Sequence, residues 1–245
     1  MSNCTIPHIK VIGVGSFGEL TARYVSANIF ENLEDKPVFL GNELKYVFAG
    51  NNAHSNSIQA LLTETDVAII IGDNTESAEM LSRIATECKQ KGIFAVLLVK
   101  SLANEAMPLC DCIIAIENEI EALNAASLVI HPCYCIGIVE IDWQDVENAL
   151  ANSGECLLIN VSGANAADEL KAKLEAINKH ERKKAASAVL NVVFDNNERF
   201  SCLESFWDIV EDKLGKDCSV VVNAMPATNT TEIFNVSLVI SGMNV

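Results

Sequence analysis

The sequence predicts an α/β chain in two parts, a parallel-sheet N-terminal domain over residues 1–137 and an α+β mixed-sheet domain over 138–245. Three observations carry this. Short apolar runs alternate with helical periodicity through the first half. Those runs are continuous rather than alternating, as strands covered by helices on both faces require. After about residue 137 the order changes, and the chain ends on two further apolar runs.

The elements follow from these patterns. In the first half, strands are predicted at 9–14, 46–50, 67–71, 94–99 and 112–116, and helices at 17–30, 57–63, 75–90 and 119–129. The His131-Pro132 step is expected to end the last of these, because proline disfavours helical geometry in the residue before it. The second half reads as helices at 142–152, 166–178 and 202–213 with strands at 156–161, 189–194, 220–225 and 235–241. The polar stretch 226–231 between the last two strands reads as the loop of a β-hairpin.

Composition narrows the function classes. Half of the 245 residues are hydrophobic, enough for one large core or two small ones. No run of eighteen apolar residues occurs and residues 1–10 lack the pattern of a signal peptide, so a cytoplasmic protein is expected. Nine scattered cysteines fit reduced core thiols better than a disulfide framework. Asp and Glu outnumber Lys and Arg by 33 to 17, a balance that repels nucleic acid and anionic membrane surfaces, and neither is expected as a partner. The basic cluster 180–184 reads as a solvated helix end.

Gly13-Val14-Gly15-Ser16-Phe17-Gly18 follows a strand and opens a helix, the context in which backbone amides approach a phosphate. A Rossmann-like dinucleotide site also needs a carboxylate at the end of the second strand, and Phe48-Ala49-Gly50-Asn51-Asn52 supplies none. A tight turn that binds nothing is the competing reading. Cys110, Cys112, His131, Cys133 and Cys135 carry zinc-type donors, but the Cys-x-Cys spacing fits one face of a packed strand, and no metal is expected. Asp142 and Asp145 stand where an N-cap and its reciprocal partner belong.

Read together, Ile9-Lys10-Val11-Ile12-Gly13-Val14-Gly15, the acidic segment Val139-Glu140-Ile141-Asp142-Trp143-Gln144-Asp145-Val146 and the strands at 189–192, 219–222 and 236–242 resemble the FtsZ/tubulin family. The resemblance covers nearly the whole chain. It implies a reduced FtsZ/tubulin GTPase-like domain at 1–137, followed by that family's C-terminal domain. It also implies head-to-tail association with itself or an FtsZ-type protein, and, where the pocket functions, GTP or GDP as ligand. The nucleotide would meet Gly13, Gly15, Ser16, Phe17, Gly18, Asn51, Gly72, Asn74 and Thr75. Asp142 and Asp145 match the two carboxylates that the family supplies in trans to the neighbouring subunit's nucleotide, with Glu140 in place of an asparagine.

The departures concern the pocket. Where the family has a glycine- and threonine-rich phosphate loop, Gly72 is followed by Asp73-Asn74-Thr75-Glu76-Ser77. Each carboxylate about 4 Å from a phosphate costs roughly 1 to 4 kcal/mol at an effective dielectric of 80 to 20. Phe17 fills part of the space glycines would leave open. Only a short helix is expected between 116 and 137, so Asn118 and Asn124 are the remaining candidates for reading a base. The family's C-terminal membrane-adaptor peptide has no counterpart, so recruitment by that route is not expected. These departures give the leading expectation, an FtsZ/tubulin-like cap or regulator with impaired GTPase activity and no required cofactor. The alternatives are a diverged polymerising GTPase and a Rossmann-like dinucleotide-binding protein.

Overall fold

The computed structural model describes residues 6–31, 33, 44–50, 55–100, 110–135, 137–139, 141–195, 201–228 and 233–243. By internal contacts the chain divides into two compact units. The first comprises residues 1–29, 39–126 and 151–154, and the second residues 30–38, 127–150 and 155–245.

The first unit is built on five parallel strands in the order β2-β1-β3-β4-β5, namely Leu44–Ala49, Ile9–Val14, Val67–Asp73, Phe94–Lys100 and Cys112–Ala115. Apart from Lys10 in β1 and the closing Asp73 of β3, these two strands are apolar because both faces are covered: every residue of β1 is buried, and so are the first six of β3. Ile12, Val14, Ala68, Ile70, Leu97 and Val99 pack against α2 (Ser55–Leu61) and α3 (Asn74–Lys91) through Ile58, Met80, Leu81, Ile84 and Cys88. Helix α1 (Gly15–Asn28) lies on the other face, since a Cβ on Gly13, whose neighbours Ile12 and Val14 point to α3, would strike the backbone of Gly18. Lys10, a buried cation of β1, donates to the carbonyls of Leu61 and Thr63 at 2.7 and 2.6 Å and so caps the C-terminus of α2. Burial holds its pKa below the usual lysine value.

The second unit has the strand order β6-β9-β7-β8, formed by Gly154–Ser162, Phe234–Ile240, Ser187–Asp195 and Ser219–Ala227. Here the hairpin expectation fails. Strand β8 pairs parallel with β7 after the crossover through α8 (Ser201–Leu214), and β9 inserts antiparallel between β6 and β7. One face packs on α6 (Ala166–Ala176) and α8 through Leu170, Leu174, Phe206, Val210 and Leu214. The opposite face carries a transverse row in which Asn160, Ser237, Asn191 and Asn223 stand in register. Asn223 donates to Asn191 at 2.8 Å and Asn191 to Ser127 at 3.2 Å, so buried amides of β8 and β7 are satisfied in sequence.

A second expectation fails at the His131-Pro132 step. Helix α4 runs from Glu119 to Tyr134 with Pro132 inside it. Proline removes one donor near the C-terminal end, and the helix recovers immediately, with the Cys135 amide donating to the His131 carbonyl at 2.8 Å. The segment between β5 and residue 137 therefore holds sixteen helical residues rather than a short helix. The basic cluster contains a single helical turn, α7 (Lys179–Arg182), capped by Asn178. Among the described residues no helix is long and apolar enough to cross a membrane.

Candidate functional site

Strand β1 has β2 on one side and β3 on the other. The chain therefore leaves the carboxyl ends of β1 and β3 in opposite directions, and such a switch point is where parallel α/β folds open a crevice. Val14 of β1 stands opposite Gly72 of β3, and Gly72 opposite Val99 of β4. The structure thus brings Gly13, Gly15, Ser16, Phe17 and Gly18 to the same end of the sheet as Gly72, Asn74 and Thr75. Asn51 lies outside the described residues, as does Glu140.

Each glycine of the first loop has a local task. Gly15 has φ +69°, left-handed backbone that side chains rarely adopt, and it turns the strand into α1. Gly18 lies so close to β3 that an added Cβ would collide with the Ile71 carbonyl, and Gly13 meets Gly18 in the same way. The pattern is consistent with a phosphate loop, but close packing of a helix on a strand is sufficient to require it. Val14 offers α1 no side-chain cap.

The second helix end differs. Asp73 is the N-cap of α3, and its carboxylate accepts from the Thr75 amide at 2.8 Å and the Thr75 hydroxyl at 2.7 Å. Burial alone would raise its pKa; the Thr75 hydroxyl and amide, the Lys100 ammonium and the Glu76 amide outweigh that and hold it below the usual carboxylate value. An anion arriving at α3 would find these amides already bound to a fixed carboxylate. Asn74, the first residue of the helix, is buried, whereas Thr75 and Ser16 are exposed.

The capping role yields a pH signature. A carboxylate with a depressed folded pKa contributes stability above its unfolded pKa, near 3.9, and loses it as pH falls through the folded value. Asp73→Ala is expected to cost about 1 kcal/mol at pH 7. In urea titrations the gap between variant and parent should close below about pH 4.

One residue of this region was not singled out in the sequence. Lys100 closes β4 directly opposite Asp73. Its Nζ stands 5.1 Å from the centre of the Phe17 ring. The available signal was positional: a cation one residue beyond an apolar run, at the end where the other strands deliver their loops.

Asp142 and Asp145 form the reciprocal cap at the start of α5 (Trp143–Leu150). The Asp145 amide donates to Asp142 Oδ1 at 3.2 Å and the Asp142 amide to Asp145 Oδ2 at 3.1 Å. Both side chains are exposed. Asn118, a candidate base reader, instead accepts from the Ile120 and Glu121 amides at 3.1 and 3.0 Å and caps α4, while Asn124 is buried within that helix. Among the described residues no group of three or more His, Cys, Asp or Glu side chains could hold a metal ion. The described cysteines, including Cys110, Cys112, Cys133 and Cys135, form no disulfide with one another, and burial pushes Cys88 and Cys110 up to about 12.

No family model matches the chain, and no curated protein matches it. Solved structures do. A single-site mutant of FtsZ from M. jannaschii aligns over 97% of this chain and 91% of its own, at 15% identity and a TM-score of 0.73. CetZ from Methanosaeta thermophila aligns over 98% and 87%, at 10% identity and a TM-score of 0.66. TubZ from Bacillus thuringiensis serovar israelensis, solved as GDP-form protofilaments, aligns over 98% and 86%, at 11% identity and a TM-score of 0.60. With coverage this complete on both sides, the chain has the FtsZ/tubulin fold.

Proposed function

We propose that this chain is a cytoskeletal protein of the FtsZ/tubulin kind. It acts by head-to-tail association, with itself or with an FtsZ-type polymer, while its own nucleotide pocket is impaired. The observation that carries the impairment is the Asp73 carboxylate bonded to the first turn of α3, beside the switch point. A nucleoside phosphate placed there competes with a covalently tethered anion and is repelled by it. GTP or GDP is the ligand if the pocket functions, and no resident cofactor is required. The net charge of −16 supports a partner that is neither nucleic acid nor membrane.

Association is supported by what the neighbours are: FtsZ solved as a dimer and TubZ described as a two-stranded filament. Heterologous contacts build open filaments, and a subunit that offers one competent face but not the other ends a filament. Exposed Asp142 and Asp145 belong to the competent face in this reading, their capping bonds holding α5 in place for a partner. Co-sedimentation with polymerising FtsZ tests it. The protein is expected to enter the pellet and shorten the filaments. Full recovery in the supernatant with filament length unchanged would refute it.

A second reading, a diverged GTPase, is favoured by one observation: α1 carries no side-chain cap, so its first amides are not occupied by a tethered carboxylate as those of α3 are. It requires saturable binding of a fluorescent GTP analogue and turnover that collapses in Asp145→Ala.

A further inference from the structure

Lys100 reaches across the switch point. It extends from the end of β4, its register partner on β3 is Asp73, and its ammonium lies over the ring of Phe17, the third residue of α1. One cation thereby engages the starts of both helices that flank the crevice. We propose that Phe17 and Lys100 form a closing contact over the crevice, one that a nucleoside phosphate must displace to reach the α1 amides. The proposal rests on reading the crevice as the nucleotide position.

The chemistry favours closure when no ligand is present. The ammonium lies over the Phe17 ring, and its charge also favours the ionised Asp73 carboxylate of the neighbouring strand. Phe17 is half-buried at the helix start, where a ring covers backbone that a glycine would leave open. A phosphate drawn to Lys100 must first separate it from Phe17, and its apparent affinity falls by the fraction of molecules in which that contact is open. A partly exposed cation–π contact corresponds to a roughly 2- to 5-fold shift in such an equilibrium.

Two conservative variants test this. Lys100→Met keeps the length and loses the charge, and Phe17→Leu keeps the apolar bulk and loses the ring. Amide hydrogen exchange is followed over residues 15–19 and 73–77 in the parent, each variant and the double variant. Each single variant is expected to exchange roughly 2- to 5-fold faster in both segments, and the double variant no faster than the singles. Unchanged exchange at 15–19 in Lys100→Met, or fully additive effects in the double variant, would overturn the closing contact. A fluorescent GTP analogue is titrated into the same samples. Saturable binding by the parent overturns the impaired-pocket reading instead, because the exchange comparison is made without nucleotide.

Discussion

Gly18→Ala is expected to destabilise the chain by roughly 3 kcal/mol, at the upper end of overpacking effects. The new methyl group would meet the Ile71 carbonyl, and the carbonyl carbon lies 3.1 Å from the same point. Both are backbone atoms of a central strand hydrogen-bonded in register on both sides, so the strand cannot yield locally. Helix α1 must lift away instead, and Ala22 and Val25, fully buried one and two turns further on, lift with it. At Gly15 the left-handed φ of +69° sets a backbone cost of about 1 to 2 kcal/mol for Gly15→Ser. Urea denaturation of the two variants separates the effects. A Gly18→Ala protein with an unchanged midpoint would mean that α1 does not pack on β3 as described, and the packing account of the glycine pattern would fall with it.

This glycine pattern marks the limit of what the sequence could tell. Gly13, Gly15 and Gly18 have the same spacing whether the loop cradles a phosphate or only lets a helix approach a strand, because both tasks ask for the same absence of a side chain. The central strands β1 and β3 were legible because burial on two faces leaves a continuous apolar run, and that run depends on local residues only. The pairing of β8 and β9 was not legible. Two apolar runs with a polar loop between them describe a hairpin equally well, and the insertion of β9 between β6 and β7 is decided by partners 40 to 83 residues away. The end of α4 was misplaced for a related reason: proline is costly in mid-helix, but near the last turn it removes a single bond, and Leu128, Val129 and Ile130 keep the helix buried as it enters that turn. At the candidate site, Asp73 was visible as an intruding carboxylate, whereas its bonds to Thr75 depend on where β3 ends, two residues later than the apolar run. Asp142 and Asp145 could be read as a cap because that motif is complete within four residues.

Phe206→Ala should give the larger loss, about 3 to 5 kcal/mol. Phe206 is 1% exposed, packs edge-on to Phe234 at 5.2 Å between ring centres, and sits on α8 among Leu203, Val210 and Leu214. Alanine removes the ring from both contacts and leaves a cavity that α8 cannot fill by shifting, because Val210 and Leu214 anchor it one and two turns on. Phe206→Leu retains most of the volume and is expected to cost only about 1 kcal/mol. The exposed neighbour provides the control: Trp207 is 39% exposed, and Trp207→Ala should lose well under half as much as Phe206→Ala despite the greater size of the residue removed. Thermal unfolding of the three variants orders these effects. Equal losses at 206 and 207 would place the buried face of α8 elsewhere, and the α6–α8 layer of the second unit would have to be rebuilt around it.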